Sequence, residues 1–128
     1  MDKPLRRQKR VEPLKDSEFH ILLALADSDR HGYGIMQEVA RRSAGTVRLG
    51  PGTLYGAIKR MLISGLIEES AKRPAAKNDD DRRRCYFSLT PQGRAVAKRE
   101  AQRLAELVRV AEVKRLLTRR SPAVEGGA

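Results

Sequence analysis

The residues whose types and spacing could do work are Thr53, Gly56, Lys59 and Arg60. They fall on one face of a helical stretch whose opposite face is Leu54, Ile58, Met61 and Leu62. The first turn of the polar face is small and uncharged, and the later turn is cationic. Such a helix can lie among base edges in a major groove while its basic residues meet phosphates. Pro51 and Gly52 open the stretch, Gly52 and Gly56 let the backbone come close, and the free N–H groups of a helix start attract a phosphate. Tyr55 stands at the edge of this face. An amphipathic core helix with an ordinary solvated face has the same pattern, and periodicity does not separate the two.

Other chemistries find less support. One cysteine, Cys85, and two histidines eleven residues apart, His20 and His31, do not make a tetrahedral metal set. No P-loop, no G-x-G-x-x-G and no nucleophile beside a base is present. The chain is therefore expected to be no enzyme and to carry no cofactor or metal. Cys85 alternates with Tyr86 and Phe87 in a strand-like run, so it is expected to be a small buried residue, with a thiol redox switch as the other reading.

The elements that must position these residues follow from the hydrophobic pattern. Phe19, Leu22, Leu23 and Ala26 share a helical face over about 16–27, with Asp16 or Ser17 as the N-cap. After a polar break, Ile35, Met36, Val39 and Ala40 mark a second helix ending at Ala44 and Gly45. Thr46 and Val47 suggest a short extended piece before Pro51. The third helix, over 51–64, stops at Gly65. Leu66 and Ile67 begin a strand, and Arg84–Leu89 form another with Cys85, Phe87 and Leu89 on one side. Thr90 and Pro91 then start a long helix reaching about Leu117. The expected fold class is mainly α with a small β-hairpin, a winged helix-turn-helix domain followed by a long C-terminal helix.

The polar loop 70–84 between the two strands is the expected wing. Lys72, Arg73, Arg82 and Arg83 would lie on a phosphate backbone from it, against the opposing charge of Asp79 to Asp81.

Charge supports a polyanion partner only through its placement. The chain holds 27 Lys and Arg against 16 Asp and Glu, a net +11. Much of the excess sits at the two ends, with nine basic and three acidic residues in 91–120. Hydrophobic residues make up 40% but aromatics only 4%, so the core must be mostly aliphatic. The longest apolar run, Ile21 to Ala26, is far short of the roughly 20 residues of a membrane span. No membrane partner is expected. The basic N-terminus has no apolar segment of a secretory signal, and a single cysteine suits a reducing cytoplasm, the expected location.

Taken together, HGY at 31–33, LGPGTLY at 49–55, the continuation through KRM, GLIE at 65–68 and the Tyr86-to-Gly93 run ending in LTPQG resemble the PadR family of transcriptional regulators. The resemblance covers about residues 14–94. It implies a dimeric winged-helix repressor on an inverted-repeat operator in double-stranded DNA, with helix 51–64 in the major groove. Pro51, Gly52, Thr53 and Tyr55 fall where the family meets DNA, and Lys59 falls at its basic position. Tyr33 is similar to a family tyrosine near the phosphates, or else packs between the first two helices. A winged helix used only for protein contacts is the alternative function.

The last helix is what a short member of such a family uses to form a homodimer. Its seam of Ala97, Ala101, Leu104, Leu107, Val108 and Ala111 suits close helix packing, and packing on its own domain is the other reading. The expected division is a disordered basic arm at 1–13, the winged domain at 14–90, the dimerisation helix at 91–118 and a disordered tail at 119–128. The arm either enters a minor groove or stays free. A small-molecule effector is compatible with this class, but no motif names one. Residues 91–128 contain no aromatic side chain, which argues against stacking of a flat ligand on the last helix.

Overall fold

The computed structural model describes residues 14–70 and 85–118. Helix α1 spans Asp16–Leu25. Its start is set by Glu18, whose Oε1 accepts the backbone N–H of Lys15 at 3.0 Å, one half of a capping box. Lys15 is thus the N-cap, and Asp16 lies already inside the first turn, where its charge suits the helix dipole. Ile21, Leu22, Ala24 and Leu25 are buried. The helix ends two residues earlier than its pattern suggests, and Arg94 donates to the Ala26 carbonyl there at 3.0 Å.

Strand β1, Arg30–His31, was not legible in the polar break between the first two helices. Two residues carry no period; only pairing reveals them. Helix α2, Gly32–Arg42, begins at once, because the His31 Nδ1 accepts the Gly34 N–H at 2.9 Å and acts as the N-cap. HGY is therefore cap and first turn, three residues ahead of the apolar stripe. At the far end Ala44 and Gly45 take φ of 54° and 83°, and Gly45 N–H donates to the Ala40 carbonyl at 2.7 Å. Ser43 holds the next turn, its Oγ accepting the Val47 N–H at 3.0 Å. The stretch after it forms no strand, yet Val47 and Leu49 pack on the core.

Helix α3 spans Pro51–Ile63, with proline at N1, where its missing N–H costs nothing. Leu54, Ala57, Ile58 and Met61 are buried, and Leu62 is half-buried. Strand β2, Ile67–Glu69, and strand β3, Tyr86–Leu89, are antiparallel, with Ile67 opposite Leu89 and Glu69 opposite Phe87. β1 pairs with the other edge of β3, so the sheet order is β1-β3-β2. Phe87 joins the core, while Tyr86 is buried by an edge-on contact with His31, ring centres 5.1 Å apart. That contact is why both faces of β3 are covered there, against the one-sided alternation expected.

Helix α4 spans Pro91–Val113. Thr90 caps it, accepting the Gly93 N–H at 2.9 Å and donating to the carbonyls of Gly65 and Leu66, which ties the helix start to the end of α3. Val96 and Ala97 pack on the core of this first compact unit. Lys98 onward forms a second unit. Within it Arg103 pairs with Glu100 and Arg109 with Glu106. The Arg103 hydrogen bond holds the Glu100 carboxyl below its ordinary range, and Arg109 does the same to Glu106. Both pairs lie on the surface and contribute little to stability.

Candidate nucleic-acid interface

With Leu54, Ala57, Ile58 and Met61 locked inward, geometry leaves Pro51, Gly52, Thr53, Tyr55, Lys59 and Arg60 exposed on α3. Gly50 and Gly52 have open space where a side chain would stand. The N-terminal end of the helix is thus an exposed surface of small residues. The six α3 residues singled out from sequence therefore share the solvent side of one element.

Tyr33, on α2, joins them. Tyr33 and Tyr55 are 50% and 49% exposed, and with Pro51 they line a cleft of about 530 Å³ together with His31, Gly32, Met36, Cys85 and Phe87. The ring of Tyr55 lies directly over Gly32: a Cβ there would collide with its hydroxyl and stand 2.7 Å from its Cζ. A side chain at 32 would have to displace this ring. Tyr33 is therefore a half-exposed wall of this cleft rather than a residue sealed between α1 and α2.

Arg60 has a more specific environment than an outward helix position suggests. Its Nε donates to Glu18 Oε2 at 3.3 Å, and Glu18 is 1% exposed. Glu18 went unnoticed in the sequence. The available signal was a carboxylate at the third position of a helix otherwise lined with core residues.

Cys85 is exposed, which corrects the expectation of burial. β3 begins one residue later, at Tyr86, so Cys85 precedes the paired segment and lies on the rim of the cleft. Lys72, Arg73, Arg82 and Arg83 lie outside the described residues. Along α4, Ala97 packs on the core of its own domain. Ala101, Leu107 and Val108 are exposed, and Leu104 and Ala111 are half-buried. Among the described residues no group of His, Cys, Asp and Glu could hold a metal ion, and no helix is long and apolar enough to cross a membrane.

Three helices followed by a three-stranded antiparallel sheet, with the outer face of the third helix exposed, define a winged helix-turn-helix protein. The chain belongs to the PadR-like family of transcriptional regulators, whose model matches residues 21–99. It is 37% identical over 90 residues to the transcriptional regulator Rv3488 of Mycobacterium tuberculosis, a match covering 70% of this chain and 77% of that protein. It is 38% identical over 96 residues to a 37.1 kDa protein in transposon TN4556 of Streptomyces fradiae, covering 72% of this chain but spanning only 24% of that relative. Among solved structures it is similar to a PadR family transcription regulator from Clostridium difficile R20291. The TM-score is 0.61 at 27% identity, over 75% of this chain and 94% of that one.

Proposed function

We propose that the protein is a sequence-specific DNA-binding repressor, acting as a homodimer on an inverted-repeat operator, with α3 in the major groove and the segment 70–84 as the wing. It performs no catalysis and works in the cytoplasm. The observation that carries this reading is the exposed face of α3, small at Gly52 and Thr53 and cationic at Lys59, on a helix whose other face is fixed in the core of a transcriptional-regulator domain. Tyr33 and Tyr55 flank its N-terminal end from two elements, a position suited to the sugar-phosphate edge.

Dimerisation is supported by Leu107 and Val108, 54% and 45% exposed on α4 at the spacing of Leu104 and Ala111. A two-fold dimer presents its helices to half-sites about 34 Å apart, or a multiple of that.

Measured binding to a selected operator tests the reading through salt. A dimer neutralising about ten phosphates gives a log K against log salt slope near −9. Lys59→Ala is expected to weaken all duplexes alike and reduce that slope by about one per protomer, whereas Thr53→Ala or Tyr55→Ala costs about 1 to 3 kcal/mol at the operator. A flat salt dependence, or equal affinity for every duplex, overturns the repressor reading.

Gly32→Ala provides a linked prediction. Its Cβ must push the Tyr55 ring aside, so its loss of operator affinity should match that of Tyr55→Ala. The double substitution should cost no more than either alone, because both remove the same placed ring. Full additivity in a titration would show that the Tyr55 position over Gly32 is irrelevant to binding.

A further inference from the structure

Glu18 is the one charged residue that the described core buries. Removing a carboxylate from water costs several kcal/mol unless it is paired and hydrogen-bonded, and an apolar replacement of such a pair is often as stable or more so. Stability is therefore a weak reason for its presence. Its two oxygens divide their work: Oε1 caps α1 through the Lys15 N–H, and Oε2 receives the Nε–H of Arg60.

The Arg60 side chain gets there in the ordinary helical direction. It runs back toward the start of α3, as helical side chains do, and its Nη1 lies 3.7 Å from where a Cβ of residue 56 would stand. A Cβ at 56 would meet it in ordinary van der Waals contact. The guanidinium is thus laid along the outward face of α3, one turn before its own Cα, and the side chain remains 47% exposed. Nε is engaged with Glu18; Nη1 and Nη2 donate to nothing among the described residues.

We propose that Arg60 reads a guanine in each half-site and that Glu18 is its positioning residue. The inference rests on the reading of α3 as the helix that enters the major groove. The outer edge of a guanidinium presents two parallel donors matched to the O6 and N7 acceptors of guanine, in a planar fork that the flexible ammonium of lysine lacks. Holding the fork by Nε removes rotamer freedom before binding, so less is lost when the two base hydrogen bonds form. Specificity at that base pair then depends on a carboxylate that never touches DNA.

The test is selection from a randomised duplex pool by the full-length protein, with sequencing, for wild type, Arg60→Ala, Arg60→Lys and Glu18→Gln, each checked by its thermal midpoint. Wild type is expected to enrich an inverted repeat with a fixed G·C pair in each half-site. Arg60→Ala and Arg60→Lys lose the preference at that pair alone, between about fivefold and 150-fold in affinity ratio against the other bases, while the rest of the repeat stays. Glu18→Gln, which keeps an acceptor for the Lys15 N–H, loses part of the same preference and no other. Arg60→Lys is a surface change that keeps the charge, so its outcome does not depend on how Glu18→Gln folds.

If Arg60→Ala weakens every duplex equally and leaves the repeat intact, Arg60 is a phosphate contact and the inference falls alone. If Glu18→Gln keeps full preference at the pair, Glu18 has no positioning role. If wild type enriches no repeat, the DNA-binding reading falls, and this inference with it.

Discussion

Replacing Gly93 with alanine should lower the thermal midpoint of the winged domain by about 10 °C or more, followed by circular dichroism at constant protein concentration. A Cβ at 93 would collide with the carbonyl oxygen of Leu66 and stand 2.9 Å from its carbon, both backbone atoms that cannot rotate away. The Leu66 oxygen is not idle either. It accepts the Thr90 N–H at 3.2 Å and the Thr90 hydroxyl at 3.0 Å, and that hydroxyl in turn accepts the Gly93 N–H. Moving α4 far enough to admit a methyl group therefore breaks the cap and the link to the end of α3 together. Gly52→Ala is the control: nothing lies within 4 Å of its Cβ position, so the same change there should cost nothing in stability. Equal melting of the two variants would show that the contact between residue 93 and Leu66 does not limit the fold.

Leu54→Ala is expected to destabilise the domain by about 2 to 5 kcal/mol in urea unfolding, a large share of the roughly 5 to 15 kcal/mol that holds a domain of this size. Leu54 is fully buried in the core shared by α1, α2 and α3, and its removal leaves a cavity that helices anchored on three sides cannot close. The adjacent Tyr55→Ala truncates a larger side chain that is half exposed, and its stability cost should be much smaller. The pair thus separates two kinds of loss on consecutive residues of one helix. Loss of DNA affinity without loss of stability belongs to Tyr55, and loss of both belongs to Leu54. If Leu54→Ala unfolds at the same urea concentration as wild type, the inward face of α3 has been assigned to the wrong side.

Much of this arrangement could be read along the chain because helices are made by near neighbours. Leu54, Ile58 and Met61 recur at helical spacing, so their inward face and the exposure of Thr53 and Lys59 follow from one period. Proline at 51 and the Thr90–Pro91 pair mark helix starts through local chemistry alone. The joint occurrence of HGY, LGPGTLY and LTPQG then pointed to the family that the comparison of residues 21–99 shows.

What local pattern could not supply are contacts between residues far apart in the chain. β1 is two residues long and exists only because β3 pairs with it. The same pairing explains His31, whose imidazole caps α2 while meeting Tyr86. Cys85 looked like an inward strand position, but the strand begins where pairing begins, one residue later. The space beside Gly32 is filled by Tyr55 and that beside Gly93 by the Leu66 carbonyl, both brought there by folding. Arg60 illustrates the division best. Helical period places it on the outer face of α3, but the direction of its guanidinium is set 42 residues away by a buried carboxylate on α1. A period of 3.6 residues encodes which face an atom leaves from, and carries no information about the partner it meets.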